Sequence, residues 1–173
     1  DFLSQRSRPK VIDLQQVLVT RSSKPSHSMF IQRLNARKTY NLVCTSASDF
    51  EVWMAHLSGV AVKAGRAYAG NRQDAWEIQR WYPMTGWAPS VLPHRCAFKF
   101  VHDFELLDRW LAQIGFMWLG EWKLASEIEI TGGLEGWIYG TGFTDSEIFQ
   151  PEMQSNSYVR VRKWTRRCAA PCT

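Results

Sequence analysis

The segment from Tyr158 to Arg166 constrains the chain more than any other. If it is extended, Tyr158, Arg160, Arg162, Trp164 and Arg166 share one face, and Val159, Val161, Lys163 and Thr165 share the other. Three arginines on one face of a strand need partners on the neighbouring strands. The chain supplies them, with 9 Trp among 173 residues. Residues 136–144 place Trp137, Tyr139 and Phe143 together, and 76–82 offer Trp76, Arg80 and Trp81. A guanidinium stacked on an indole contributes about 0.5–1 kcal/mol when exposed and about 2 kcal/mol when desolvated. The pattern therefore predicts a sheet held by arginine–tryptophan stacks, with these arginines in a structural role rather than on a ligand.

The remaining elements read as mainly β with two short helices. Residues 11–19, 28–34 and 38–45 have the β-branched and aromatic character of strands. A helix is expected over 48–64, with Ser48 and Glu51 as a capping box, an apolar stripe of Phe50, Trp53, Leu57, Ala61 and Ala64, and Gly65 as the stop. Trp53 is expected to bury against the strand at 38–45. Residues 65–75 lack periodicity and read as a linker. A strand is expected at 76–82, then loops around Pro83, Gly86, Pro89 and Pro93, then a helix over 103–114 capped by Asp103 and ended by Gly115. Further strands are expected near 117–123, 127–131, 136–144 and 158–166. The organisation is thus a first domain over 1–64, the linker 65–75, a second domain over 76–168 and a tail at 169–173.

Charge is unevenly spread. The net charge is +5, yet residues 1–40 hold eight basic side chains against Asp1 and Asp13, whereas 41–157 are net acidic. Arg33, Arg37 and Lys38 are candidates for contact with anionic lipid headgroups, and the acidic middle opposes a continuous groove for nucleic acid. Cys44, Cys96, Cys168 and Cys172 are too scattered for a zinc site and read as free thiols of a reducing compartment. His27, His56, His94 and His102 are isolated, and no nucleophile elbow, phosphate loop or dinucleotide-binding pattern occurs. No enzyme activity, cofactor or metal is expected. The chain opens on Asp1 without an apolar leader and reads as a piece of a longer protein.

Two resemblances follow from the motifs. Residues 10–64, with a Val11-Ile12-Asp13-Leu14 strand, two further strands and a helix carrying Ser46, Trp53 and Leu57 in the spacing S-x-x-E/D-x-x-x-W-x-x-x-L, resemble the C-terminal half of a pleckstrin-homology domain. The strands that carry that family's basic inositol-phosphate site lie outside the match, so phosphoinositide binding does not transfer by residue. Residues 77–168 resemble a DysF domain, the module of ferlins, peroxisomal membrane peroxins and a tectonin-repeat autophagy protein. The opening block is Glu77, Arg80-Trp81-Tyr82-Pro83, Gly86-Trp87 and Leu92-Pro93. The closing blocks are Trp118 and Trp122, then Gly136-Trp137-Ile138-Tyr139 with Phe143, then Val159 to Arg166. Residues 98–115 depart from that family as a helical insert where it usually has a Trp-Ser-Asp loop.

The resemblance implies a partial pleckstrin-homology-like sandwich followed by an antiparallel DysF sheet. In that sheet Arg80, Trp81, Trp87, Trp122, Trp137, Arg160, Arg162, Trp164 and Arg166 form the stack. It also implies a non-catalytic, peripheral lipid-recognition module at the cytoplasmic face of intracellular membranes, with phosphoinositide or sphingomyelin headgroups as partners. A protein-binding scaffold without lipid contact is the alternative. A second candidate contact is the loop 144–157, where Ile148, Phe149 and Met153 are the apolar residues. The bland expectation is that Phe149 covers the sheet edge. The sharper one is that Ile148 and Phe149 insert into a headgroup layer or a partner's groove.

Overall fold

Alternating apolar residues pair the first three strands into an antiparallel meander. Strand β1 (Val17–Arg21) lies against β2 (Ser28–Arg33), which lies against β3 (Thr39–Val43). The computed structural model describes residues 11–36, 39–90, 101–125, 133–143 and 148–170. The expected strand at 127–131 lies outside them. Helix α1 (Ala47–Ala69) packs on the meander through Phe50, Met54, Leu57 and Ala61, which meet Val17, Val19, Met29 and Ile31.

Several expectations for α1 are corrected. Its cap is Ser46, not Ser48. The extended Ser46 hydroxyl accepts from the Asp49 N–H at 3.1 Å and donates to the Asp49 carboxylate at 2.8 Å. Glu51 instead turns to β1 and accepts two bonds from Arg21, at 2.8 and 2.7 Å. Those bonds hold the Glu51 carboxyl below its ordinary range and lift the Arg21 guanidinium above its own. Trp53 faces solvent, 54% exposed, and Phe50 is the anchor. The burial that the pleckstrin-homology resemblance requires of Trp53 is therefore not observed.

Gly65 does not stop the helix either, and 65–75 is no linker. Helix α1 continues to Ala69, only Gly70 and Asn71 intervene, and β4 (Arg72–Tyr82) begins at once. Gly65 is where a second helix, α2 (Phe104–Gln113), comes down on α1. A Cβ there would stand 2.6 Å from Ile114 Cγ2 and 3.4 Å from Trp110 Nε1. Gly59, in the same helix, has nothing within 4 Å of that position. Gly59→Ala is thus expected to raise stability by about 0.5–1 kcal/mol through helix propensity. Gly65→Ala is expected to lower it by about 1 kcal/mol or more, because overpacking opposes the same gain. Urea unfolding of the two variants checks the difference in sign.

The second sheet has the order β5-β4-β8-β6, where β5 is Gly86–Pro89, β6 is Met117–Leu124 and β8 is Val159–Ala169. The short strand β7 (Ile138–Gly140) also pairs with β8. Residues 86–89 were expected as loop and 136–144 as strand. The hairpin register Trp81↔Trp87 makes the first a strand, while a 3-10 turn at Leu134–Gly136 shortens the second. The molecule is mainly β, with two antiparallel sheets and two α-helices among the described residues.

Helix α2 joins the two sheets. Asp103 caps it as expected, accepting from the Leu106 N–H at 2.8 Å. Its buried Leu107, Trp110, Leu111 and Ile114 meet Leu18 and Leu34 of the first half, and Ala75 and Cys168 of the second, in one cluster. Gln113 closes the outer edge of β1: its Oε1 accepts from the Val19 N–H at 2.8 Å and its Nε2 donates to the Val17 carbonyl at 3.0 Å. Arg66 donates to the Ile114 carbonyl at 2.6 Å. The residues read as an insert thus form the centre of a core shared by both halves. Burial in that cluster pushes the Cys168 thiol up.

Candidate functional site

The face of β8 that carries Arg160, Arg162, Trp164 and Arg166 holds a continuous stack. Trp87 of β5 lies under Arg160 at 4.8 Å, and Arg160 lies over Trp137 at 4.1 Å. Arg162 also stands over that indole, at 4.4 Å, and reaches Trp164 at 4.9 Å. Farther along, Arg166 lies over Trp118 at 4.8 Å and Trp122 at 6.0 Å. Arg80 leaves this face and sits over Phe143 at 5.7 Å.

Polar groups of β4 fix the guanidinium planes. Gln79 Oε1 accepts from Arg160 Nε at 2.9 Å and Nη2 at 2.6 Å. Glu77 Oε2 accepts from Arg162 Nε at 2.7 Å and from Trp164 Nε1 at 2.9 Å. Antiparallel pairing explains the match, since Glu77 stands opposite Arg162 and Gln79 opposite Arg160. Trp137 is 2% exposed at the centre of this stack. These arginines are held by aromatic and acceptor groups of their own sheet.

At one end the stack surfaces. Trp81 packs edge-on against Trp87 with ring centroids 5.5 Å apart, yet it is 42% exposed. The β4–β5 turn carries Tyr82, Pro83, Met84 and Thr85, closed by a Thr85 N–H to Tyr82 carbonyl bond of 3.2 Å and by Gly86 at φ +76°. Tyr82 is exposed and Met84 is 97% exposed. Tyr158, also exposed, ties the hairpin to β7: its carbonyl accepts from the Trp81 N–H at 2.9 Å and its N–H donates to Gly140 at 3.0 Å. Ile148, 80% exposed, precedes Gln150 by two residues, and Gln150 is bridged to Tyr139 of β7. That places Ile148 toward the same end of the sheet. Residues 81–87 contain no charged side chain. The result is an uncharged rim of aromatic and thioether side chains at the end of the sheet.

The expected contact residues fare differently. Phe149 is partly buried against the cluster of Ile78, Phe143, Val159 and Val161, the position of an edge cover rather than of an inserting side chain, whereas Ile148 and Met153 are exposed. Arg33 ends β2 beside Asp13, Gln15, Gln16 and Asn35. Arg37 and Lys38 lie outside the described residues. Tyr82, Met84 and Tyr158 were missed, and Trp81 was assigned only to the stack. The one signal for the turn was its run of apolar residues between two strands.

No family model matches the chain. A tectonin beta-propeller repeat-containing protein of Drosophila melanogaster is 29% identical to it over 101 residues, which cover 55% of this chain and 7% of that protein. The chain therefore spans a small part of the length of the relative it matches.

Proposed function

We propose that the chain is a non-catalytic, peripheral lipid-recognition module that meets a neutral, zwitterionic membrane surface with the hairpin end of its second sheet. The observation that carries this reading is the exposed, uncharged Trp81-Tyr82-Pro83-Met84 tip, held in place by the arginine–tryptophan stack behind it. Aromatic side chains with one apolar and one polar end suit the headgroup layer. The DysF resemblance supports the reading, and the tectonin-repeat similarity is in keeping with it, because that family includes a tectonin-repeat protein. By the same resemblance the module would work at the cytoplasmic face of intracellular membranes.

The test is flotation with vesicles of phosphatidylcholine and sphingomyelin. Burying one Met contributes about 1.5–3 kcal/mol. Met84→Asp is therefore expected to weaken binding by about tenfold or more, with unchanged thermal melting because Met84 touches little. Binding of the native chain should also persist at high salt, since no net charge is needed. Unchanged flotation of Met84→Asp would remove the hairpin from the membrane contact.

The protein-scaffold alternative has an observation of its own. Val52, Trp53 and Val60 expose apolar surface on the outer side of α1. Native chain that ignores every vesicle while Trp53→Ser abolishes capture of a protein partner would favour that reading.

A further inference from the structure

At the other end of the second sheet, positive charge is crowded in a way the fold itself does not need. Arg72 and Arg167 stand directly opposite each other across β4 and β8, so their side chains leave the same face. Like charges in that arrangement destabilise a sheet. In the next row on the same face, Lys123, Thr165 and Asp74 lie side by side across β6, β8 and β4. The register of β6 against β8 shifts between Leu119 and Lys123, and Gly120 there has φ +85°. This bulge opens a groove of 390 Å³ lined by Arg72, Lys123, Arg166, Arg167, Thr165 and Glu121 among others.

Three cations, Arg72, Arg167 and Lys123, thus share the face that opens on this groove, with the carboxylates of Glu121 and Asp74 beside them, while the Arg166 side chain leaves the opposite face. Asp74, directly opposite Thr165, has Oδ2 2.9 Å from Lys163 Nζ and Oδ1 3.4 Å from Arg72 Nε, and that Oδ1 is buried without a hydrogen-bond partner. Arg166 is fixed by its Nε bond to the Gly120 carbonyl at 2.6 Å and by its stack on Trp118. Among the described residues, neither Arg167 nor Lys123 has an ion pair. The Thr165 hydroxyl is buried with no hydrogen-bond partner. A buried hydroxyl without a partner costs stability, as do opposed guanidiniums, and one ligand relieves both.

We propose that this groove binds a phosphate group, with Arg72, Arg167 and Lys123 neutralising it and Thr165 donating to one of its oxygens. The phosphate could belong to a soluble compound or to a lipid headgroup. The strand length favours the soluble source. β4 has 11 residues, so its two ends are roughly 33 Å apart at about 3.3 Å per residue. A bilayer that receives the hairpin end lies too far from the groove. The proposal does not depend on that hairpin contact, and its test reads a different residue.

The experiment is thermal melting of the whole chain in sodium pyrophosphate, compared with sodium chloride at matched ionic strength. A rise of roughly 5 °C is expected once the anion stands about a hundredfold above its dissociation constant. Arg167→Gln should melt no lower than the native chain in chloride and should bind pyrophosphate at least tenfold more weakly. If that variant fails to fold, Lys123→Gln, on the exposed edge strand, takes the same readout. A second arm floats both proteins with phosphatidylcholine vesicles containing phosphatidic acid. Recruitment that depends on Arg167 would keep the site and assign its phosphate to lipid. Equal melting in pyrophosphate and chloride together with no Arg167-dependent flotation overturns the proposal, as does a pyrophosphate shift that survives both substitutions.

Discussion

Trp137→Ala is expected to destabilise the protein by about 3–5 kcal/mol, at the upper end for loss of a buried aromatic ring. The indole is 2% exposed and carries two guanidiniums, at 4.1 and 4.4 Å from its centre. Truncation removes the ring's buried surface and both cation–π contacts together. It leaves Arg160 and Arg162 pinned by Gln79 and Glu77 over an empty space, unable to relax toward solvent without giving up those bonds. Trp164 is only half-buried and touches one arginine, so Trp164→Ala should cost less. Urea unfolding followed by circular dichroism measures both. A Trp137→Ala protein within 1 kcal/mol of the native chain would show that the stack contributes little beyond filling space.

Trp110→Ala is expected to cost a similar amount, about 3–5 kcal/mol, and to weaken both sheets at once. Trp110 is fully buried in the cluster that contains Leu18 and Leu34 on one side and Ala75 and Cys168 on the other. Its Nε1 is buried without a hydrogen-bond partner. Trp110→Phe loses some area but also removes that orphan donor, which costs about 1–3 kcal/mol while it stays unpaired. The phenylalanine variant should therefore fall within about 1 kcal/mol of the native chain. Hydrogen exchange of amides in β2 and in β8 reports the two sheets separately. Loss of protection in only one of them for Trp110→Ala would show that the halves do not share a core.

The parts of the fold legible in the sequence were those set by local period. Alternation over 158–166 is a two-residue signal, and it placed Arg160, Arg162 and Trp164 on one face, where the structure has them. Asp103 was legible as a cap because its partner, the Leu106 N–H, is three residues away. Helix α1 was misread where distant residues decide. The stripe through Phe50, Trp53, Leu57, Ala61 and Ala64 and the true one through Phe50, Met54, Leu57, Ala61 and Gly65 differ by one step, about 100° around the helix, at two positions. Which of the two is buried depends on Ile114 and Trp110, some fifty residues later, and their approach requires the bare Gly65.

The candidate sites were less legible for the same reason. Trp81 belongs to the stack by motif, and its exposure comes from the end of the sheet being open, which no residue of the hairpin encodes. The opposition of Arg72 and Arg167 needs the register of β4 against β8 before it can be seen. Phe149 resembles Ile148 and Met153 in type, yet only Phe149 reaches the apolar face formed by Val159 and Val161.

The amide of Gln113 has a bearing on how copies of this chain can associate. By bonding to Val17 and Val19 it occupies the outer rim of β1, while β3, at the opposite rim, carries no further strand among the described residues. A sheet open at both rims can recruit copy after copy and grow into a fibre. Blocked at β1, this sheet cannot be extended from that rim, so growth strand by strand in both directions is closed to it. One glutamine side chain acts there as a chain terminator for polymerisation.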